Sequence, residues 1–243
     1  DALDVIFARR VNYLEQNDSP VALWNFNDTL AAVIGPTFTS TTGPYGFCDV
    51  YPGVRGLDVG LATRLQTAVS GGLILLADMS VEVLILLDTN PTTQWIIGVG
   101  GAVTGLAADN VSWSLILPVT TPPRTVQGFW ESGAAVARGF TTPSASSSPS
   151  VPPIHNLMQL GYSRSGVNGQ VYLNGRPFGA PVSGVALPTT GTNGLVTIGA
   201  RAGATSNDQF QLISAAVYNR SRPAAEWKAS YNRSIGNGLG FLT

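Results

Sequence analysis

Short runs rich in Val, Ile, Leu, Thr and aromatic residues recur along this chain, each cut off by a cluster of Gly, Pro, Asn or Asp. Segments so brief and so often interrupted cannot build long helices, whereas antiparallel strands joined by turns need this punctuation. The runs fall at residues 21–26, 73–76, 81–87, 94–99, 111–117, 126–131, 157–162, 170–173, 195–198 and 210–218. About ten to twelve strands of this length suit a two-sheet antiparallel sandwich. The 28 glycines and 16 prolines match that many turns, and a chain of 243 residues with 44% hydrophobic residues can fill the core of one such unit.

Local signals sharpen the reading. Asn174-Gly175 stands between Val171-Tyr172-Leu173 and Arg176-Pro177-Phe178, and both turn residues tolerate the positive φ that a tight hairpin demands. Leu3, Phe7, Val11 and Leu14 recur at helical spacing opposite Arg9, Arg10 and Glu15, so residues 2–16 are expected to form a short amphipathic helix ending at Asn17-Asp18-Ser19-Pro20. It packs either on its own domain or on a neighbouring subunit. A second short helix is expected to start in Ser221-Arg222-Pro223-Ala224-Ala225-Glu226-Trp227, with Trp227 and Tyr231 on one face. Residues 141–153, TTPSASSSPSVPP, read as a mobile loop.

Charge excludes several classes of function. Only 11% of residues are charged and the formal net charge is −1, so no basic field is present to hold nucleic acid. A surface so poor in charge is covered by Ser, Thr, Asn and Gln, or by other subunits. Cys48 is alone, which leaves no intrachain disulfide and no cysteine cluster for zinc. The most apolar stretch, residues 71–87, carries Asp78 and Glu82 and reads as buried strands rather than as a membrane span. The start at Asp1, with no charged-then-apolar leader, reads as a processed or excised fragment.

Several segments, in order, resemble the laminin G-like jelly roll of the concanavalin A-like superfamily, in the versions found in bacteriophage virion proteins and bacterial surface proteins. They are Val21-Ala22-Leu23-Trp24-Asn25-Phe26-Asn27-Asp28, Tyr51-Pro52-Gly53-Val54-Arg55-Gly56-Leu57-Asp58, and Met79-Ser80-Val81-Glu82-Val83-Leu84-Ile85. Val171-Tyr172-Leu173-Asn174-Gly175-Arg176-Pro177 is similar to the family's tyrosine-valine-asparagine-glycine hairpin, preceded by His155 where a Trp-His pair is usual. Pro153 and Ile154 stand in place of that tryptophan. Leu195-Val196-Thr197-Ile198-Gly199 and Ile213-Ser214-Ala215-Ala216-Val217-Tyr218 look like the last strands. The resemblance implies an all-β concanavalin A-like jelly roll over residues 21–243, after an N-terminal helix and linker at 1–20 and with a short C-terminal helix.

The same resemblance frames the chemistry. Retaining glucanases of the superfamily carry a Glu-x-Asp-x-Glu strand, since alternate residues of one strand project from one sheet face. That triplet does not occur here, nor does a Gly-x-Ser-x-Gly elbow, and His155 is the only histidine. Glu82 and Asp88 are too far apart on one strand to act together. Calcium is the family's common ion, and Asp28, Asp49, Asp58, Asp109 and Asp208 are possible ligands without forming a local cluster, so no site is assigned.

A glycan site needs an aromatic face with polar partners. Trp95, Trp113, Trp130 and Trp227 could supply the aromatic, with Glu131, Arg138, Arg164 or Arg201 beside it; Trp24 and Trp227 read as core. The candidate ligand-binding residues are Trp130, Glu131, His155 and Arg164. The expected function is a non-catalytic structural or attachment module of a virion. Its partners would be other virion or surface proteins, in an oligomer. The alternative is a secreted or cell-surface carbohydrate-binding lectin domain.

Overall fold

A computed structural model describes residues 14, 18–60, 62–68, 70–87, 94–99, 113–117, 126–131, 137–141, 156–184, 187, 195–199 and 209–235. In chain order the strands are β1 (Ala22–Asn25), β2 (Ala32–Ile34), β3 (Phe38–Thr42), β4 (Tyr45–Tyr51), β5 (Val54–Val59), β6 (Arg64–Thr67), β7 (Met79–Leu87) and β8 (Gln94–Val99). There follow β9 (Trp113–Leu117), β10 (Gln127–Glu131), β11 (Ala137–Thr141), β12 (Leu157–Ser165), β13 (Asn168–Leu173), β14 (Arg176–Val182), β15 (Val196–Gly199), β16 (Phe210–Tyr218) and the helix α1 (Ala224–Ser234).

These strands form two antiparallel sheets, as the run-and-turn pattern predicts. The first has the order β14-β13-β12-β7-β16-β1-β2, with β5 pairing the start of β16 on the edge that β1 pairs further along, and β4 outside β5. The second has the order β11-β10-β9-β8-β15-β6-β3. Alternate residues of facing strands interdigitate between the sheets: Met79, Val81, Val83, Ile85 and Leu87 from β7 meet Ile97 and Val99 from β8 and Trp113 and Leu115 from β9 in one cluster. Burial of this cluster is the main stabilising term, since ~25 cal/mol per Å² of apolar surface accrues only where both faces close on each other.

Two expectations need correction. Residues 73–76 are not a strand: a 3-10 turn at Gly71–Leu73 leads into irregular chain. Side chains satisfy its carbonyls in place of a partner strand, with Trp113 Nε1 donating to Leu73 O at 2.8 Å and Arg164 donating to Leu75 O and Ala77 O at 2.7 Å each. The region between residues 32 and 67, where no strand is expected beyond the family segment at 51–58, holds β2 to β6. Of these, β3 (FTSTT) and β4 (YGFCDVY) are rich in Thr, Ser, Gly and Tyr, so their hydrophobic alternation is weak, and β2 and β6 are only three and four residues long.

The expected C-terminal helix is present as α1, with Pro223 in extended conformation just before it and Trp227 buried. The expected N-terminal helix over 2–16 lies outside the described residues except at Leu14, which sits in no regular element and is buried against Leu23, Leu84 and Ile213. The loop expected at 141–153 lies outside the described residues apart from Thr141, the last residue of β11.

Candidate functional site

The central strands of the first sheet, β7, β12 and β16, are buried on both faces. In β7 the inward residues alternate with Ser80, Glu82 and Leu84, and in β12 Met158, Leu160 and Tyr162 alternate with Leu157, Gln159, Gly161 and Ser163. Antiparallel register sets Glu82 opposite Gly161, and Ser80 opposite Ser163. On the other flank Ala216 stands opposite Glu82, and Tyr218 opposite Ser80. The result is an outward face with an apolar end, around Leu84, Leu157 and Ala216, and a polar end around Glu82.

Helix α1 closes the polar end. Its Trp227 is fully buried, stacks on Tyr172 of β13 with ring centroids 4.6 Å apart and 8° between planes, and donates Nε1–H to Arg222 O at 3.2 Å. Gly161 makes this seating possible, because a Cβ there would meet Val81 O and the Trp227 ring, with Cζ3 at 2.7 Å.

Glu82, with no exposed surface, lies at the centre of the contact. Its Oε1 accepts from Gln159 Nε2 and from Ser230 Oγ (2.6 Å), and its Oε2 accepts from Arg222 Nη1 and from Tyr218 OH (3.2 Å). Arg222 is equally buried; it also donates to Asp18 Oδ2 at 2.9 Å and packs its guanidinium 4.3 Å from the Tyr218 ring centroid and 5.0 Å from that of Trp227. Arg233 pairs with Asp18 at 2.5 Å, and Arg220 with Glu226 at 2.6 Å. Three guanidiniums and three carboxylates thus form one network without net charge. Burial lowers the Arg222 pKa, but Glu82, Tyr218 and Asp18 together outweigh it and hold the guanidinium above its ordinary value. Burial, then the Glu82 charge, raises the Tyr218 phenol, which stays a neutral donor.

The β13–β14 turn is tied to the same face. Asn174 and Gly175 take φ of 49° and 75°, as the hairpin motif predicts. Gln159 receives the turn on both sides: its backbone O accepts from Asn174 N at 2.9 Å, and its Oε1 accepts from Gly175 N at 2.8 Å. A Cβ on Gly175 would lie 2.9 Å from Tyr231 Cβ and 3.0 Å from Lys228 Cα. Gly175→Ala is therefore expected to destabilise the protein by roughly 1–3 kcal/mol through strain at positive φ plus displacement of α1. A drop in the urea midpoint with no change in slope checks it.

Beside this network a cleft of about 250 Å³ opens between the β12–β13 hairpin and the chain entering α1. Hydroxyls of Ser163, Ser165 and Ser221 and amides of Asn168 and Gln170 line it, with Tyr172, Pro181 and Pro223 as apolar walls. Ser163 Oγ is committed, accepting from Arg222 N at 2.8 Å and bonding Ser80 Oγ and Ser221 Oγ. Gln170 Nε2 holds the carbonyls of Val171, Phe178 and Gly179, which fixes the amide and leaves its oxygen as an acceptor. Ser165 and Asn168, both exposed, form the rim. Burial raises the Tyr172 phenol pKa, so that wall is neutral.

The sequence-derived candidates are scattered by the fold. Arg164 belongs to the inward side of β12, is fully buried, and holds the 75–77 backbone through the bonds described above. Trp130 and Glu131 lie at the end of β10, with Trp130 opposite Arg138 of β11 in the second sheet. His155 lies outside the described residues. Among the other tryptophans, Trp113 is core, and Trp95 is 8% exposed with Nε1 on Thr197 Oγ1 at 3.1 Å. Trp24 is fully buried, as expected.

Of the acidic residues weighed for calcium, Asp28 and Asp49 do converge, but on Arg55, which donates to Asp28 Oδ1 at 2.7 Å and to Asp49 Oδ1 at 3.3 Å. The guanidinium already supplies the positive charge there, so this pair does not suit calcium. Asp109 and Asp208 lie outside the described residues. Among the described residues no three His, Cys, Asp or Glu side chains converge on a possible metal position.

Sequence reasoning missed the cleft and the network. Glu82, a lone carboxylate inside the run Val81 to Leu87, was the available signal: a buried charge requires a cation, and Arg222 stands in the segment that opens the C-terminal helix.

No family model and no curated protein sequence matches this chain. Solved structures do. The botulinum neurotoxin serotype G binding domain superposes with a TM-score of 0.63 at 10% identity, over 87% of this chain and 50% of that one. The receptor-binding domain of the C/D mosaic serotype gives 0.62 at 10% identity over 89% and 52%. The serotype D ligand-binding domain in complex with N-acetylneuraminic acid gives 0.63 at 10% identity over 89% and 51%. The chain spans about half the length of these structures. At such identity the likeness shows a shared β-sandwich fold.

Proposed function

We propose that this chain is a non-catalytic recognition module of the laminin G-like, concanavalin A-like kind, and that it binds carbohydrate in the cleft beside α1. The observation that carries the reading is the lining of that cleft, where the held Gln170 amide, Asn168 and three serines stand together with Tyr172 and two prolines. A sugar ring presents the complementary surface, with hydroxyls at its edge and C–H groups on its faces. The fold shared with a domain solved in complex with N-acetylneuraminic acid supports it. Glu82 is unsuited to acid–base work, since four donors occupy its oxygens beneath α1.

A virion or cell-surface setting, with other virion or surface proteins as partners in an oligomer, belongs to the same proposal. The resemblance to phage and bacterial surface modules and the 11% share of charged residues support it. Sedimentation as a strict monomer without affinity for such proteins would count against that part.

On a glycan array the purified protein is expected to bind a restricted set of structures. Ser165→Ala with Asn168→Ala, both at the exposed rim, should weaken binding about tenfold for the loss of one or two hydrogen bonds while leaving the melting temperature unchanged. Retention of an unchanged glycan profile by the double variant would move the site elsewhere, and an array with no bound glycan would remove the carbohydrate reading.

A further inference from the structure

We infer that the cleft selects uncharged saccharides and discriminates against sialylated or otherwise anionic ones, an inference that rests on the carbohydrate reading above. Among the described residues Arg222 is the only cationic one lining the cleft, and its side chain has no exposed surface. Each guanidinium nitrogen is already engaged: Nη1 with Glu82, Nη2 with Asp18 Oδ2 at 2.9 Å, and Nε with Glu226 Oε2 at 3.4 Å. A ligand carboxylate entering the cleft would find no uncommitted cation among the described lining residues, and could reach Arg222 only by displacing a carboxylate of the protein.

The network around Arg222 has no net charge to draw an anion in, so a ligand carboxylate would bear its desolvation cost uncompensated, whereas a neutral hydroxyl does not. The groups that remain for a ligand, at Ser165, Asn168 and the Gln170 oxygen, are all uncharged. Gln170 with its oxygen as acceptor suits a sugar hydroxyl or acetamido N–H, and is wrong for an anion.

The test uses paired glycans that differ only by a terminal sialic acid, titrated against the intact protein at low and at high salt. The neutral member should bind at least about tenfold more tightly, with an affinity that barely changes with ionic strength. Asn168→Lys, which sets an uncommitted cation at the rim, should narrow that gap from the sialylated side. Preference of the unmodified protein for the sialylated member, weakening with salt, overturns the inference but keeps the carbohydrate reading. Binding of neither member, nor of any other glycan, removes the reading and the inference together.

Discussion

Replacing Glu82 by Ala is expected to cost about 3–5 kcal/mol of stability, because it takes from the buried Arg222 guanidinium its one fully buried counter-charge and leaves it to the partly exposed Asp18 and Glu226. The loss would not stop at one ion pair. Gln159, Ser230 and Tyr218 also donate to this carboxylate, and each would be left with a buried donor lacking its acceptor. Equilibrium unfolding in urea reads the effect as a lowered midpoint. Combining Glu82→Leu with Arg222→Met should recover the part due to the unmatched charge, since an apolar pair of similar volume removes both charges at once, and leave the part due to the three donors. Equal destabilisation by the single and the double variant would show that the network does not hold the helix by charge pairing.

The second large effect is expected at Gly161. A methyl group there meets the Val81 carbonyl on one side and the Trp227 ring on the other, so Gly161→Ala should cost about 3 kcal/mol, the upper end for over-packing. Tryptophan fluorescence should shift to longer wavelength as Trp227 moves from its place against Tyr172. In a Trp227→Ala background, where the ring is gone, the same substitution should cost measurably less, and a double-mutant cycle reports the difference. Strict additivity would mean that the clash is with the strand backbone alone. Both variants act on the support of the cleft, since Tyr172 and the 221–223 segment that wall it are positioned by this face.

Legibility in the sequence followed the strength of the local signal. Residues 81–87 and 210–218 read as strands because nearly every position is apolar, and both prove to be central strands covered on two faces. Asn174-Gly175 read as a hairpin because only such residues accept two consecutive positive φ angles. β2 and β6 escaped because three and four residues are too few to show a period, and β3 and β4 because their mixed polar and apolar residues give little alternation to detect. Within β16 itself, a register shift between Leu212 and Ser214 places Phe210, Leu212, Ala215 and Val217 in one core, which strict period two does not allow.

The candidate site was the less legible part. Arg164 is expected from the sequence as a polar partner beside an aromatic face, yet two backbone carbonyls of a segment nearly ninety residues away hold it inside the fold. Tyr172 stood in the hairpin motif, but nothing local tells that its ring meets Trp227, fifty-five positions later.

What the sequence by itself determined is the class of architecture: an all-β sandwich, its hairpin, its C-terminal helix and its lack of a charged field, because each follows from neighbours along the chain. The tertiary structure alone decided that Glu82, Gln159, Tyr218, Arg222 and Ser230 share one buried network and that a cleft opens beside it. The physical reason is that a charge can be buried only where several distant strands and a helix deliver its partners together, and that delivery depends on register and on which face a helix covers.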